Sequence, residues 1–540
     1  MGSFLGFSGQ PILPHELGKL KILRTIRVWL TRLWGIYGEQ IPRQLQIPID
    51  KVSEGVSTLR SETFNTLPHL KRKALFLMSR ARTFRRLLLV GSLLWWMIPG
   101  AMMAQDADEQ LAMDQQRARE AESRQDFETA IREYKVLVQA VPNNAELESN
   151  LGVALYFHHD LKQAVDVLLR AESLKPSLYT PRLFLGLAMA QLGRPDAAVV
   201  ELEKAVAING ADPLAHTWLG YEYTAQSRFE KAAVQLEMAA REKPDDQDAW
   251  FALGRCYLEL GKTTTTRLLQ AAPDSGRTWQ LAGEQYEAQG NNGRALKLYA
   301  GALERRPDIR GLREKIVALG GTISDVKAGQ NANHSEEDRL YLLVHSYETK
   351  ARESFEQVFQ IDPDSYRAHQ VLADSYAASE HFDDAAAEYR IVLERKADLP
   401  GIHGDLCNAL SRTARIQEAI KECDAEISLS PYSADAYVQD ARVHLLVDDN
   451  ARATALLEKA LVLDRPPIAA YKLKAKIDIA QKQYPPAIEA LTRYLAVETK
   501  DASAYFLLAR AYKAVGDSAK MHQAIAAYKR IEDFGCGQRK

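Results

Sequence analysis

The chain is poor in the residues that build chemical sites. Four cysteines in 540 residues are too few for a disulfide framework. Among 12 histidines, only the adjacent pair His158-His159 suggests a metal site. Beyond Asp160 it has no Cys, Asp or Glu at ligand spacing, so a solvated turn accounts for it. No nucleophile–base–acid set and no paired-carboxylate motif is recognisable. The run GKTTTT at 261–266 imitates the end of a phosphate-binding loop. The loop's first glycine is replaced by Cys256, however, and the preceding residues have helical periodicity. Gly261-Lys262 reads instead as the turn between two helices. These absences exclude a recognisable enzyme. No catalytic, cofactor-binding or metal-binding residue is assigned, no cofactor is implied, and no nucleic-acid partner is expected.

What the chain does have is a period. Gly152, Gly186, Gly220 and Gly254 stand 34 residues apart. Ala373, Cys407, Ala441, Ala475 and Ala509 keep the same pitch. A second small residue follows 12 positions later, at Ala164, Ala198, Ala232, Ala385, Ala419, Ala453 and Ala487. A pitch of this length with paired small residues predicts an all-α solenoid of stacked helical hairpins. One unit reads in full over Asn144–Ser177. Leu147, Leu151, Ala154 and Leu155 form one apolar helical face, and His158-His159-Asp160 interrupts it. Leu161, Ala164, Val165, Leu168 and Leu169 form a second face, and Pro176 ends the unit. Gly152 is placed opposite Ala164, where two small side chains let the helices approach.

The pattern resembles the tetratricopeptide repeat family, whose unit has small residues at the eighth, twentieth and twenty-seventh positions and proline near its end. Gly152, Ala164, Ala171 and Pro176 match that frame, as do Gly186 with Ala198 and Ala205. Gly220 with Ala232, Ala239 and Pro244 also match, and so do Gly283 with Ala295, Ala302 and Pro307. The resemblance covers roughly 105–534 and implies a right-handed superhelix of about 11–13 hairpins.

Two units depart from the frame. Gly254 to Gly283 and Val344 to Ala373 are each 29 residues, and both units end in Pro-Asp-Ser. Residues 249–312 align with 339–402 at a constant offset of 90, which marks a duplicated block. Between the copies lies the polar, glycine-bearing stretch GGTISDVKAGQNANHSEED, predicted to begin as a loop. The expected division is a first array at 105–319, a linker at 320–334, a second array at 335–534 and a tail at 535–540. The alternative is one continuous superhelix carrying a surface insertion.

The overall charge of −2 hides an asymmetry: residues 1–86 hold 15 Lys or Arg against 5 Asp or Glu. Arg85 and Arg86 precede 18 uncharged, mostly apolar residues, Leu87–Ala104, and acidic residues follow. Positive charge on one side keeps that side cytoplasmic. The segment is thus expected to be either a signal peptide cut after Ala104 or a single transmembrane helix. Met78 would begin an ordinary leader, so residues 1–77 could be over-called. Either alternative places the repeats in the periplasm, or outside the cytoplasm on an inner-membrane anchor.

The family's first helices line its concave face, so the resemblance also implies where a partner would touch. In the amino-terminal part these positions are Tyr156, Phe157, Leu183, Leu187, Leu214, Tyr221 and Phe251, an apolar lining. Arg255, Arg277 and Arg367 belong to a mixed charged zone, and Arg442, Lys472, Lys476, Arg510 and Lys513 to a basic one. The paired Lys and Asn with which some members clamp a chaperone tail are absent; Ser149/Val153 and Thr217/Tyr221 stand there instead. Cys407 and Cys423 fall on the facing helices of one hairpin. They are either a disulfide in an oxidising compartment or two small buried residues. The implied role is a non-enzymatic scaffold for a protein or peptide, similar to exported bacterial-type repeat proteins. The alternative is a regulatory or substrate-docking subunit of an envelope, secretion or polysaccharide-export complex.

Overall fold

The structure, a computed structural model, describes residues 110–321, 336–464 and 466–537. The basic extension, the apolar segment 87–104 and most of the 320–334 linker lie outside the described residues. Among those described, every regular element is a helix, and none is long and apolar enough to cross a membrane.

The described residues begin with α1 (110–123) and α2 (Phe127–Ala140). Three hairpins follow: α3 (Ala145–Phe157) with α4 (Leu161–Leu174), α5 (Tyr179–Gln191) with α6 (Pro195–Ile208), and α7 (Pro213–Ala225) with α8 (Phe229–Glu242). Next come the long α9 (Gln247–Ala271), the hairpin α10 (Gly276–Ala288) with α11 (Asn292–Arg305), the short α12 (Leu312–Ala318) and the long α13 (Glu336–Ile361). The last hairpins pair α14 (Tyr366–Ala378) with α15 (Phe382–Arg395), and α16 (Ile402–Arg412) with α17 (Ile416–Leu429). They continue with α18 (Ala434–Leu446) and α19 (Asn450–Leu461), α20 (Ile468–Ala480) and α21 (Tyr484–Val497), and α22 (Ala502–Ala514) and α23 (Ser518–Gly537). Many first helices start on a short polar cap. Asn144, Asp212, Ser275, Ser365 and Asp501 each accept a backbone N–H of the first turn, satisfying a donor that the helix itself leaves free.

The small residue of the period has a definite use. A Cβ on Gly152 would lie 2.5 Å from Leu168, and one on Gly186 or Gly220 would lie 2.5 Å from Leu202 or Leu236. Gly152 therefore receives a leucine one turn beyond Ala164, rather than facing Ala164 itself. Ala164, Ala198, Ala232, Ala295, Ala385, Ala419, Ala453 and Ala487 are all fully buried. Sixteen residues separate each glycine from its leucine. Cys407 and Cys423 have the same separation and form a disulfide with Cα atoms 5.5 Å apart. A covalent bond thus occupies the place of the Gly–Leu contact.

Each ordinary hairpin turns at one residue in the left-handed region, seven positions after the small one. His159, Gly193, Ser227, Gly290, Glu380, Ala414, Asp448, Lys482 and Gly516 all have φ between 57° and 81°. Gly193 is doubly constrained, because a Cβ there would meet the backbone oxygen of Tyr432 at 2.8 Å. The α5–α6 turn packs against the α17–α18 loop, and the stack curves until distant units touch.

In the two short units the turn is missing. Seven positions after Gly254 and Val344 come Gly261 and Ala351, both inside helices, of 25 and 26 residues respectively. Gly261–Thr266 is therefore continuous helix and not the expected turn, because the five residues that would reverse the chain are absent. A hairpin without its turn cannot close on itself. The two open hairpins close each other instead, with α9 packing antiparallel to α13. Phe251 meets Val358 at one end of the pair, and Leu268 meets Tyr341 at the other. These contacts are related by the same offset of 90. Tyr257 and Tyr347, also 90 apart, stack on each other at 6.1 Å, so a local pseudo-twofold axis passes between them. Asp248 binds Arg367 (2.5 Å) and Asp338 binds Arg277 (2.6 Å), two copies of one ion pair. Gly254 correspondingly faces Phe355, about a hundred residues on, and not a residue of its own unit.

This exchange forks the stack. The first half of α9 pairs with the second half of α13, and that pair continues from α8 into α14. The other halves pair separately and carry α10, α11 and α12. Helices on either side of 320–334 thus share one core.

Candidate partner-binding face

The expected partner positions separate into buried and accessible groups. Tyr156, Leu183, Leu187 and Phe251 are 3–7% exposed. They are core residues and not an open apolar lining, because successive first helices pack closely enough to cover one another. Tyr156 additionally accepts a hydrogen bond from Gln191, and Phe251 lies beneath the Arg367 guanidinium (4.6 Å). Arg367 is itself buried, held by Asp248 and donating to Gln370. Arg277 is half-buried in the matching pair with Asp338, and Lys472 is tied to Asp501 (2.5 Å). Leu214 and Tyr221 are partly covered. The buried ones, Tyr156, Leu183, Leu187, Phe251 and Arg367, cannot reach a partner without rearrangement.

The accessible set is smaller and more polar. Phe157 is 43% exposed and stacks on Phe127 (5.3 Å). Arg255, Arg442, Lys476, Arg510 and Lys513 are exposed. Arg442, Lys476 and Arg510 occupy one register position on α18, α20 and α22, 34 residues apart, and so form a row. Phe506, 57% exposed on α22, stands beside the end of that row. Sequence reasoning missed Phe506, although it lies 34 residues after Lys472 and could have been found by extending the register.

A second feature lies where α9, α14 and α16 meet. Tyr389 donates to Asp374 (2.7 Å). Burial raises the Asp374 carboxyl above its ordinary range, and the Tyr389 bond only partly opposes this. The neighbouring Asp405 is pushed up to about 7 by burial and by the charges of Asp374 and Glu426, against the pull of Arg255. Glu426 stands at the register position where other units of the chain pack Ala171, Ala205 and Ala239. It accepts the backbone N–H groups of Gly401 (2.9 Å) and Gly404 (3.3 Å), capping α16 in place of a side chain at Gly401.

The duplicated copy contains the same place with other residues. Subtracting 90 turns Asp374 into Glu284, Asp405 into Lys315 and Tyr389 into Tyr299; adding 90 turns Arg255 into His345. There Glu284 faces His345 at 3.1 Å and accepts from Tyr341 (2.8 Å), while Lys315 pairs with Glu287 (2.9 Å). Burial would raise Glu284, but His345 and Tyr341 bring it below its ordinary value, and the flanking Glu284 and Glu348 lift His345 to about 9. This copy is internally neutralised. In the other, a carboxylate stands where the lysine would be.

Among the described residues no group of three or more His, Cys, Asp or Glu could hold a metal ion. His158 pairs with Asp160 at an exposed turn.

The tetratricopeptide repeat model matches residues 219–265, across α7, α8 and the first part of α9. Over 195 residues the chain is 26% identical to the human protein O-mannosyl-transferase TMTC1, covering 34% of this chain and 22% of that protein. The chain thus spans about a fifth of the length of the curated relative it matches. Similar solved structures include PilF of Pseudomonas aeruginosa, 21% identical over 37% of this chain and 93% of that one, with a TM-score of 0.32. The Cut9–Hcn1 hetero-tetramer of the APC/C covers 78% of this chain and 94% of its own at 15% identity, TM-score 0.31. The thermophilic repeat protein TTC0263 of Thermus thermophilus covers 50% and 100% at 18% identity, TM-score 0.30.

Proposed function

Because this chain carries tetratricopeptide repeats, we propose that it is a non-enzymatic scaffold holding an extended segment of a protein partner along its first helices. The observation that carries this reading is the row Arg442, Lys476 and Arg510, exposed at one register position on successive units beside Phe506. Three cations at a repeat spacing suit an acidic stretch of polypeptide, and an exposed aromatic beside them suits an apolar anchor within it.

The same reading places the repeats outside the cytoplasm, by export or on a membrane anchor. The Cys407–Cys423 disulfide supports this, since such bonds persist in oxidising compartments. So does the apolar stretch 87–104 with arginines before it and acids after it. An amino terminus at Gln105 in the mature protein would establish cleavage.

A fluorescent octaglutamate peptide titrated into the full chain tests the binding role. The triple charge reversal of Arg442, Lys476 and Arg510 to Glu should weaken its capture by at least about tenfold and flatten its salt dependence. Unchanged capture would remove the row from the binding face.

A further inference from the structure

In a solenoid each unit contacts only its neighbours. One contact in this chain breaks that rule. The α5–α6 turn touches the α17–α18 loop, although α7–α8, the exchanged α9–α13 pair and α14–α15 lie between their units. The space that a side chain at Gly193 would need is taken by the Tyr432 carbonyl oxygen. The Tyr432 side chain packs on the core of the first units, with the Lys162 ammonium 5.8 Å from its ring. Arg194, next to Gly193, faces Asp464 between α19 and α20 at 3.8 Å.

The turn itself does not need a glycine. The same turn position holds His159, Ser227 and Ala414 at φ between 57° and 65°. At Gly290 and Gly516 an added Cβ would meet nothing within 4 Å. Gly193 is the turn glycine that a distant unit makes necessary. The contact is nevertheless slight. Arg194 and Asp464 are both more than half exposed, and such a pair adds little. It can part while the hairpins on both sides stay folded. Tyr432 and Asp464 stand just before α18 and α20, the helices that carry Arg442 and Lys476.

We propose that the α5–α6 turn and the α17–α18 loop form a latch that opens without unfolding either hairpin, and that its closed state sets the spacing of Arg442 and Lys476 for an acidic segment. The second clause rests on the reading of the basic row as the binding face. Opening frees the amino-terminal ends of α18 and α20. The row must then be ordered anew when a segment binds, and capture weakens. The coupling is reciprocal, so a bound acidic segment holds the latch shut.

The test uses the full chain. Gly193→Asn introduces a residue that tolerates the left-handed region but drives its Cβ into the Tyr432 carbonyl. Gly290→Asn is the matched control, with φ 74° against 70° and open space around it. Tyr432→Ala opens the latch from its other side. Both latch variants should speed hydrogen exchange across the α17–α18 loop by at least about fivefold and enlarge the radius of gyration in small-angle scattering, with helical circular dichroism unchanged. Gly290→Asn should do neither. Both latch variants should weaken octaglutamate capture by about fivefold or more, against less than about twofold for Gly290→Asn. Saturating octaglutamate should slow exchange in the same loop of the parent protein. Equal exchange and scattering in all three variants would overturn the latch, as would loss of helical signal in the two latch variants alone. An opened latch with unchanged capture would overturn the coupling and leave the basic row standing. If the parent protein does not capture octaglutamate, the row falls and the coupling with it, and exchange and scattering decide the latch.

Discussion

The ordinary hairpins and the two long helices are built from the same repeat and differ by five residues. Where those residues are present, one residue enters the left-handed region, the chain reverses, and the small position is filled from its own unit, by Leu168 at Gly152 and by Tyr299 at Gly283. Where they are absent, two hairpins straighten and complete each other. The comparison teaches that the turn, and not the helix faces, decides which helix is whose partner. The faces are equally complementary in both arrangements: Gly254 accepts Phe355 as Gly152 accepts Leu168.

The largest expected effects cut the exchanged pair. Phe355→Ala removes the ring that fills the groove over Gly254 and should cost about 3–5 kcal/mol, read as a shift in the urea midpoint. Hydrogen exchange should then rise in α10–α12 as well as in α9 and α13, because the side helices hang from that pair. Leu168→Ala in an ordinary hairpin should cost about 2–5 kcal/mol and raise exchange only in α3, α4 and their neighbours. Similar exchange maps for the two variants would erase the distinction.

Gly152→Leu comes next. It forces a side chain into Leu168 and should cost about 1–3 kcal/mol, with the damage local to one hairpin.

Acid should act on the two regions in opposite directions. At the junction, burial would raise Asp338, but Arg306 and Arg277 outweigh it and hold the carboxyl at about 2. Its folded value is depressed, so its contribution is present above about pH 4 and is lost as pH falls toward 2. Asp440 on α18 is fully buried and is pushed up to about 6 by burial, with His444 partly opposing. Its folded value is raised, so its favourable contribution is complete below about pH 4 and is lost as pH rises through 6. Protection of α18 should therefore grow between pH 6.5 and 4.5 while that of α9 and α13 holds. Below pH 4 the long pair should weaken. Asp440→Asn should add about 1–3 kcal/mol at pH 7.5 and nothing at pH 4.

The smallest effects are also the sharpest contrast, since they change one register position in opposite directions. His159→Gly relieves a left-handed residue (φ 65°) and should stabilise by up to about 1 kcal/mol. Ala351→Gly, the same position inside α13, should destabilise by about 1 kcal/mol. Equal signs would mean that the two positions do not differ in conformation.

Much of this could be read from the residues. The pitch, the small positions, the spacing of Cys407 and Cys423 and the duplication at offset 90 are all visible in the chain, because local periodicity fixes which side of each helix is apolar. The exchange itself was not. A missing turn says that Gly254 and its helix need a partner, but it does not say which helix supplies one. Only the offset hinted at the answer, since a duplicated open hairpin is its own complement. The register of the expected partner positions could be read from the sequence, and their burial could not. Leu183 and Phe251 stand at expected partner positions, yet packing by adjacent helices covers them.

The exchange is tested most directly by carbodiimide coupling of the intact protein followed by peptide mass spectrometry. Lys350 on α13 lies 3.2 Å from Glu237 on α8, a contact that exists only because α13 crosses onto the main stack. Coupling of Lys315 to Glu287 serves as the internal control. The account predicts an intrachain Glu237–Lys350 link at a yield comparable to the control. A strong control link with no Glu237–Lys350 product would contradict it.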